Sequence, residues 1–222
     1  MTSFARVSFP IALLSALCAC SQSSSSPSAT KQLSPTALAH LLREPGGLAA
    51  CAQLVGTCSY THTPYPIVRP DLKALASLSS VIVLGTLSKK VSELSPDGDD
   101  IWTTWTVAPW RVFKGLVPAG GLKFEASGGF ITFANGTSAE VITTEWARLQ
   151  PDKPFLMFLR KHPDGVYTVM NGADGLVSAS DAAHLESLAS FEDGPHPVVD
   201  EVKGLSLATM SAKLKALLAE SK

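Results

Sequence analysis

The sequence predicts a mainly β (α+β) fold, in which short flanking helices and a C-terminal amphipathic helix pack against a small curved antiparallel sheet. Apolar and polar residues alternate over 101–113, a pattern typical of a strand with one buried face. Asn-Gly at 135–136 and Pro-Asp-Gly at 163–165 separate strand-like segments and predict two hairpins. A stripe of leucine and methionine at helical spacing over 206–218 predicts the terminal helix.

The composition indicates one globular domain with extensions. Of the 222 residues, 45% are hydrophobic and 17% are charged, which provides enough apolar content for a sizeable core. Lys and Arg total 18 against 19 for Asp and Glu, and the basic residues form no cluster. Because phosphate binding needs a basic surface, this charge balance argues against nucleic acid as a partner.

Residues 1–19 have the organisation of an export signal. One positive charge, at Arg6, precedes an apolar run over 7–17 that is too short to span a bilayer. The run ends in Leu17-Cys18-Ala19-Cys20, which resembles the bacterial lipobox. The resemblance implies cleavage after Ala19 and diacylglycerol on Cys20, and an ordinary secretory signal is the alternative.

Acylation of Cys20 makes a membrane the first expected partner, through the lipid anchor. Ser21 permits sorting to the outer membrane if the organism sorts lipoproteins as Gram-negative bacteria do. Residues 20–34 are rich in serine and almost free of apolar residues, so we expect a flexible tether with a reach of about 20 Å. The expected location is therefore the bacterial cell envelope.

Cys51 and Cys58 are the two cysteines left in the exported body, and we expect a disulfide between them. The alternative is a metal site that adds His62. The spacing matches no zinc motif, and no fourth ligand lies nearby in the sequence. We therefore assign no metal and no cofactor.

Local patterns predict the remaining elements. Ser34 and Pro35 predict the cap and first residue of a short helix, and Pro109 predicts a bulge or an edge position in the long strand. Strands are predicted at 81–87, 101–113, 122–125, 129–133, 137–142, 155–160, 166–170 and 175–177, and further helices at 181–188 and 206–218. The chain then divides into a signal peptide (1–19), the acylated tether (20–34), a helical segment (35–79), a barrel-like β domain (80–178) and a helical segment (179–222).

Three segments, at 79–86 (SSVIVLGT), 110–115 (WRVFKG) and 154–159 (PFLMFL), resemble netrin-like and metalloproteinase-inhibitor-like domains. The resemblance covers roughly 75–170 and implies an OB-like β-barrel. Those inhibitors present a free N-terminal cysteine to the zinc of their target, whereas Cys20 is expected to be acylated. The resemblance therefore implies a fold rather than an inhibitory activity.

The familiar motifs of enzymes are absent from the sequence, which has no Gly-x-Ser-x-Gly, no Walker-type loop and no His-Glu-x-x-His. The acidic run at 97–100 is either a calcium loop or a solvated turn, and it lacks the later Gly and Glu of an EF-hand. Ser180, Asp181 and His184 are the residue types of a hydrolase triad, but their closeness in sequence suits capping and surface charge better. His162 and His196 lie in predicted loops without an identifiable partner.

The tryptophans of the long strand supply the candidate ligand-binding residues. Alternation places Trp105 on the apolar face, and Trp102 on the opposite face with Thr104 and Thr106. Trp102 is then either a half-covered surface aromatic or part of a platform on which a sugar or a peptide segment stacks. We expect a lipid-anchored, non-catalytic binding or interaction domain with an envelope protein or glycan as partner. The alternative is an envelope hydrolase whose active site is assembled from dispersed residues.

Overall fold

The computed structural model describes residues 33–62, 69–143, 146, 149–188 and 196–220. The predicted signal peptide, Cys20 and most of the tether lie outside these ranges. Residues 31–222 belong to one compact unit. No helix within the described ranges is long and apolar enough to cross a membrane.

Strands contribute 38% of the residues and helices 28%, so the fold is mainly β, as predicted. The helices are α1 (Pro35–Leu41), α2 (Gly47–Val55), α3 (Leu72–Leu78), α4 (Pro197–Val202) and α5 (Leu207–Glu220), with a 3-10 turn at Gly172–Gly175. The strands are β1 (Thr57–His62), β2 (Val81–Leu94), β3 (Ile101–Lys114), β4 (Leu122–Ser127), β5 (Gly129–Thr132), β6 (Ser138–Thr143), β7 (Pro154–Lys161), β8 (Tyr167–Val169), β9 (Leu176–Ser178) and β10 (Glu186–Ser187).

Seven strands form one strongly curved sheet in the order β10-β9-β7-β2-β3-β4-β8. Because β8 also pairs with β7, the strands β7, β2, β3, β4 and β8 form a closed circuit. The contact between β4 and β8, at Glu125 and Thr168, is parallel, and the other pairs in the circuit are antiparallel. The predicted fold class is confirmed, because the fold is mainly β, with a strongly curved sheet, short flanking helices and a C-terminal helix. We call the closed circuit of five strands the barrel.

The barrel and three of the helices share one hydrophobic core. Residues 155–159 of β7 are buried in succession, which requires cover on both faces of the sheet. Leu72 of α3, Val198 of α4 and Leu214 of α5 belong to the same buried cluster as β7. α3 packs against β7, α4 packs against β10 and α3, and α5 packs against α3 and β3, so the helices and the barrel together bury this core.

A smaller sheet, in the order β1-β6-β5, forms a second core with α2. Leu48 of α2, Val141 of β6 and Ile101 at the start of β3 are buried together in it. A disulfide between Cys51 and Cys58 joins α2 to β1, with the Cα atoms 5.6 Å apart. The predicted disulfide is confirmed, and neither sulfur is left as a thiolate for a metal site.

The long strand β3 bends at a β-bulge. The register of β2 and β3 shifts next to the pair Gly85–Pro109, and Trp110 is the extra residue. A Cβ atom on residue 85 would lie 2.4 Å from the carbonyl oxygen of Ala108, so the close approach of the two strands requires glycine. The bulge predicted at Pro109 is confirmed.

The predicted helix at 181–188 is wrong, because residues 181–184 form bends and Glu186–Ser187 form β10. Asp181 accepts a hydrogen bond from the backbone N–H of Ala183 at 2.8 Å, and such local bonds compete with helix formation. The N–H of Leu188 donates to the carbonyl oxygen of Leu176 at 3.0 Å. Pairing with the sheet therefore outweighs the helical pattern of this segment.

Side-chain burial alternates along β3. Trp105 is 5% exposed and belongs to the main core, whereas Trp102 is 39% exposed. Thr104 and Thr106 are half-buried on the face that carries Trp102. The predicted assignment of the two tryptophans to opposite faces is confirmed.

Trp105→Ala should lower the free energy of unfolding by about 3 to 5 kcal/mol, the usual cost of emptying a large core site. Trp102→Ala is the matched control on the same strand, and it should cost about 1 kcal/mol or less because its ring is partly in water. Urea denaturation followed by circular dichroism measures both changes. A loss for Trp102→Ala as large as that for Trp105→Ala would contradict the assigned faces.

Candidate functional site

The three predicted ligand-binding residues lie on one surface of the barrel. Residues that are paired across antiparallel strands share a face, so the register identifies their neighbours. Trp102 is opposite Glu93 and Ser127, Thr104 is opposite Val91 and Glu125, and Thr106 is opposite Lys89 and Lys123. We call the surface of Trp102, Thr104, Thr106, Lys123 and Glu125 the outer face.

A cleft of about 320 Å³ opens on the outer face beside Thr104. Lys123 and Glu125 of β4 line it, together with residues of the β3–β4 loop, the β7–β8 hairpin and Tyr167 at the start of β8. Trp102 and Thr106 lie on the outer face but do not line this cleft. The structure therefore brings one of the three predicted residues into the cleft and leaves the other two beside it.

The cleft carries one cation and one anion on the same strand. Lys123 and Glu125 flank the buried Phe124, so both side chains project away from the barrel interior. Within the described ranges, neither forms an ion pair. The Nζ of Lys161 lies 5.9 Å from the centre of the Tyr167 ring, but Lys161 does not line the cleft. The cleft can therefore offer both donors and acceptors to a ligand.

The sequence predicted one lining residue of the cleft, Thr104, and missed the others. Alternation within 122–127 is a signal that could have placed Lys123 and Glu125 on a common face. Tyr167 reaches the cleft because β8 pairs with β4 and with β7. The pairing of β8 with β4 joins segments that are far apart in the sequence, and no local sequence pattern indicates it.

A buried ionic cluster contains His196, for which the sequence indicated no partner. His196 Nδ1 lies 2.6 Å from Asp174 Oδ1, and Asn171 donates to Asp174 Oδ2 at 2.7 Å. The Nη1 of Arg69 lies 3.6 Å from the same Oδ2. The side chains of His196 and Asp174 are 1% and 0% exposed, so a substrate has no access to them in this conformation. The cluster fixes the turn after β8 to the start of α4.

Ser180, Asp181 and His184 do not form a catalytic triad. The Nδ1 of His184 lies 3.1 Å from Asp181, but the hydroxyl of Ser180 accepts a hydrogen bond from Ser178 at 3.2 Å. The backbone N–H of Ala183, together with His184, holds the pKa of Asp181 below its usual range. This arrangement is a local surface turn.

The acidic run at 97–100 closes the β2–β3 hairpin. Ser95 donates to Asp99 at 3.0 Å, and Ser127 donates to Asp100 at 2.8 Å. Burial, together with the charges of Asp100 and Asp99, raises the pKa of Tyr60 to about 12. The hydrogen bonds of both carboxylates favour the solvated turn over the calcium loop.

His162, the second loop histidine, is also accounted for within the fold. Its Nε2 lies 2.8 Å from the hydroxyl oxygen of Thr168 in β8.

The outer face is the surface on which exposure, a concave cleft and the predicted residues coincide. No protein-family model matches the chain, and no curated protein is significantly similar to it. The chemistry of the outer face is therefore the basis on which a function can be inferred.

Proposed function

We propose that this chain is a lipid-anchored, non-catalytic binding domain of the bacterial cell envelope, and that the outer face binds an envelope glycan. The observation that carries the proposal is the exposure of Trp102, at 39%, on the same face as a cleft of about 320 Å³ that Thr104 and two charged side chains line. Acylation of Cys20 holds the domain at a membrane surface in this proposal, where such glycans are within its reach.

The position of the outer face in the barrel supports binding. β3 and β4 are the second and third strands of the closed circuit in chain order, and the β7–β8 hairpin joins the fourth to the fifth. In OB folds the corresponding face and loops bind oligonucleotides and oligosaccharides. The balance of 18 basic and 19 acidic residues argues against an oligonucleotide, so an oligosaccharide is the better fit.

The side chains of the outer face suit a sugar. Sugar hydroxyls both donate and accept hydrogen bonds, and Thr104, Lys123 and Glu125 provide a hydroxyl, an ammonium and a carboxylate. The indole of Trp102 provides a flat apolar surface on which a sugar ring can stack. A charged ligand is less suited, because the opposite charges of Lys123 and Glu125 give the cleft no dominant sign.

The alternative of an envelope hydrolase has weaker support. Acid–base or nucleophilic catalysis requires a titratable group that contacts the substrate. The His196–Asp174 pair is buried, and Ser180, Asp181 and His184 lack the geometry of a triad. Among the residues that the structure describes, the exposed chemistry therefore favours binding over catalysis.

Replacement of Cys20 tests the anchor. Cys20→Ser should move the protein from the membrane fraction to the soluble fraction, because the tether is almost free of apolar residues that could hold it at the bilayer. Cys18→Ser is the matched control and should leave the protein at the membrane. Cell fractionation followed by immunoblotting measures the distribution. The assignment is wrong if Cys20→Ser protein stays at the membrane and Cys18→Ser protein leaves it.

Replacement of Trp102 tests the binding surface. Trp102→Ala should weaken the binding of soluble peptidoglycan glycan strands, freed of their stem peptides, by about tenfold, equivalent to about 1.4 kcal/mol. Its melting temperature should change by no more than about 2 to 4 °C, as for a loss of up to about 1 kcal/mol. Trp110→Ala is the matched control, since Trp110 is an exposed tryptophan of β3 that lies at the bulge, where the strand bends, and does not line the cleft. Isothermal titration calorimetry on the full-length protein in detergent measures the affinities.

Two results would contradict the glycan proposal. One is the absence of glycan binding by the native protein. The other is an equal loss of affinity in Trp102→Ala and Trp110→Ala, which would separate binding from the outer face. Binding of the stem peptides in place of the glycan strands would assign the outer face to a peptide ligand instead.

A further inference from the structure

A second cleft, of about 310 Å³, lies where the barrel meets the β1-β6-β5 sheet. We call it the junction cleft and define it by Lys90, Trp105, Phe130, Glu140, Ile142 and Trp146. It shares no lining residue with the cleft on the outer face. Its volume is at the lower end of the range for small-molecule sites, so it suits a compact ligand.

Two glycines determine the shape of the junction cleft. Gly128 and Gly129 link β4 to β5 with φ values of 99° and 148°, in the region that favours glycine. A Cβ atom on Gly128 would lie 2.6 Å from Thr143 Oγ1, and one on Gly129 would lie 2.4 Å from Thr103 Oγ1. The Thr103 hydroxyl donates to the carbonyl oxygen of Gly128 at 2.5 Å. The turn is therefore fixed against β3, and the cleft is formed in the absence of a ligand.

The junction cleft carries opposite charges on its two walls. On the barrel wall, the Nζ of Lys90 lies 5.6 Å from the centre of the Trp105 ring. On the wall formed by the small sheet, the half-buried Glu140 is directly opposite Phe130, whose side chain is 52% exposed. Among the described residues, none forms an ion pair with Lys90 or with Glu140. Both charges are thus available to a ligand, each beside an aromatic ring.

We propose that the junction cleft binds a small zwitterion, a molecule with one primary amine and one phosphate or carboxylate group. The anionic group accepts charge-assisted hydrogen bonds from Lys90. The amine is held by the carboxylate of Glu140 and by the face of the Phe130 ring, a combination that favours cations. A ligand with both charges pairs with Lys90 and with Glu140, and so offsets the free-energy cost of desolvating each group. A ligand with one charge leaves the other group unpaired.

Amino acids and the phosphoethanolamine headgroup of phospholipids share this chemistry, and calorimetry on the full-length protein can separate them. The probes are phosphoethanolamine and β-alanine as zwitterions, with ethanolamine and inorganic phosphate as probes that carry charge of one sign only. At least one zwitterion should bind at least about tenfold more tightly than ethanolamine and phosphate. Binding of phosphoethanolamine alone indicates a lipid headgroup, and binding of β-alanine alone indicates an amino acid or peptide; either result supports the proposal.

Substitutions of Lys90 and Glu140 test whether both walls of the junction cleft contact the ligand. Lys90→Ala and Glu140→Gln should each weaken binding of the zwitterion at least about tenfold, while Lys90→Arg should retain most of the affinity. Lys123→Ala is the matched control, because it removes a cation from the other cleft and should leave the affinity unchanged. Circular dichroism verifies that each variant is folded.

Three results would overturn the zwitterion proposal. They are the absence of binding by both zwitterions at about 10 mM, equal affinity for ethanolamine or phosphate alone, and a loss in Lys123→Ala equal to that in Lys90→Ala. Trp102→Ala should bind the zwitterion normally, since Trp102 does not line the junction cleft. Failure of the glycan proposal therefore leaves this test unaffected.

Discussion

The pairing of β2 with β3 is the constraint on which the rest of the structure depends. Each strand has 14 residues, and the two remain paired from Ile82–Lys114 to Leu94–Ile101. The part near Gly85 belongs to the closed barrel, and Ile101 at the other end is buried in the second core. Because alternate residues of a strand face opposite sides, β3 contributes Thr104 to the outer face and Trp105 to the junction cleft.

Local patterns predicted the elements whose pairing is local. Alternation identified β3, and the Asn-Gly and Pro-Asp-Gly turns identified the β5–β6 and β7–β8 hairpins. The same patterns predicted that β2 ends at Leu87, whereas the strand continues to Leu94. Residues 88–93 are mostly polar, and they are a strand because β3 pairs with them. The helix predicted at 181–188 is wrong for a related reason, since residues 186–187 pair with β9.

The candidate sites show the same division between local and distant information. Trp102, Thr104 and Thr106 share a face because they alternate on one strand, and the sequence alone predicted this. Tyr167 joins the outer-face cleft through the parallel contact of β4 with β8, which no local pattern encodes. In the junction cleft, Lys90 of β2 and Glu140 of β6 line one cavity because the turn at Gly128 and Gly129 leads from β4 of the barrel into β5 of the small sheet. The sequence patterns placed Gly129 at the start of the predicted strand 129–133 and assigned no role to Gly128.

Native-state hydrogen exchange of β3 tests the central constraint most directly. If the long β2–β3 pairing unites the barrel with the second core, the amides of residues 102–107 should exchange as slowly as those of β7 in the main core. These residues are paired with β2 on one side and with β4 on the other. Exchange of residues 102–107 at the rate of the hairpin turn at 95–100, with β7 still protected, would contradict the account. It would show that this half of β3 opens independently and holds neither cleft in place.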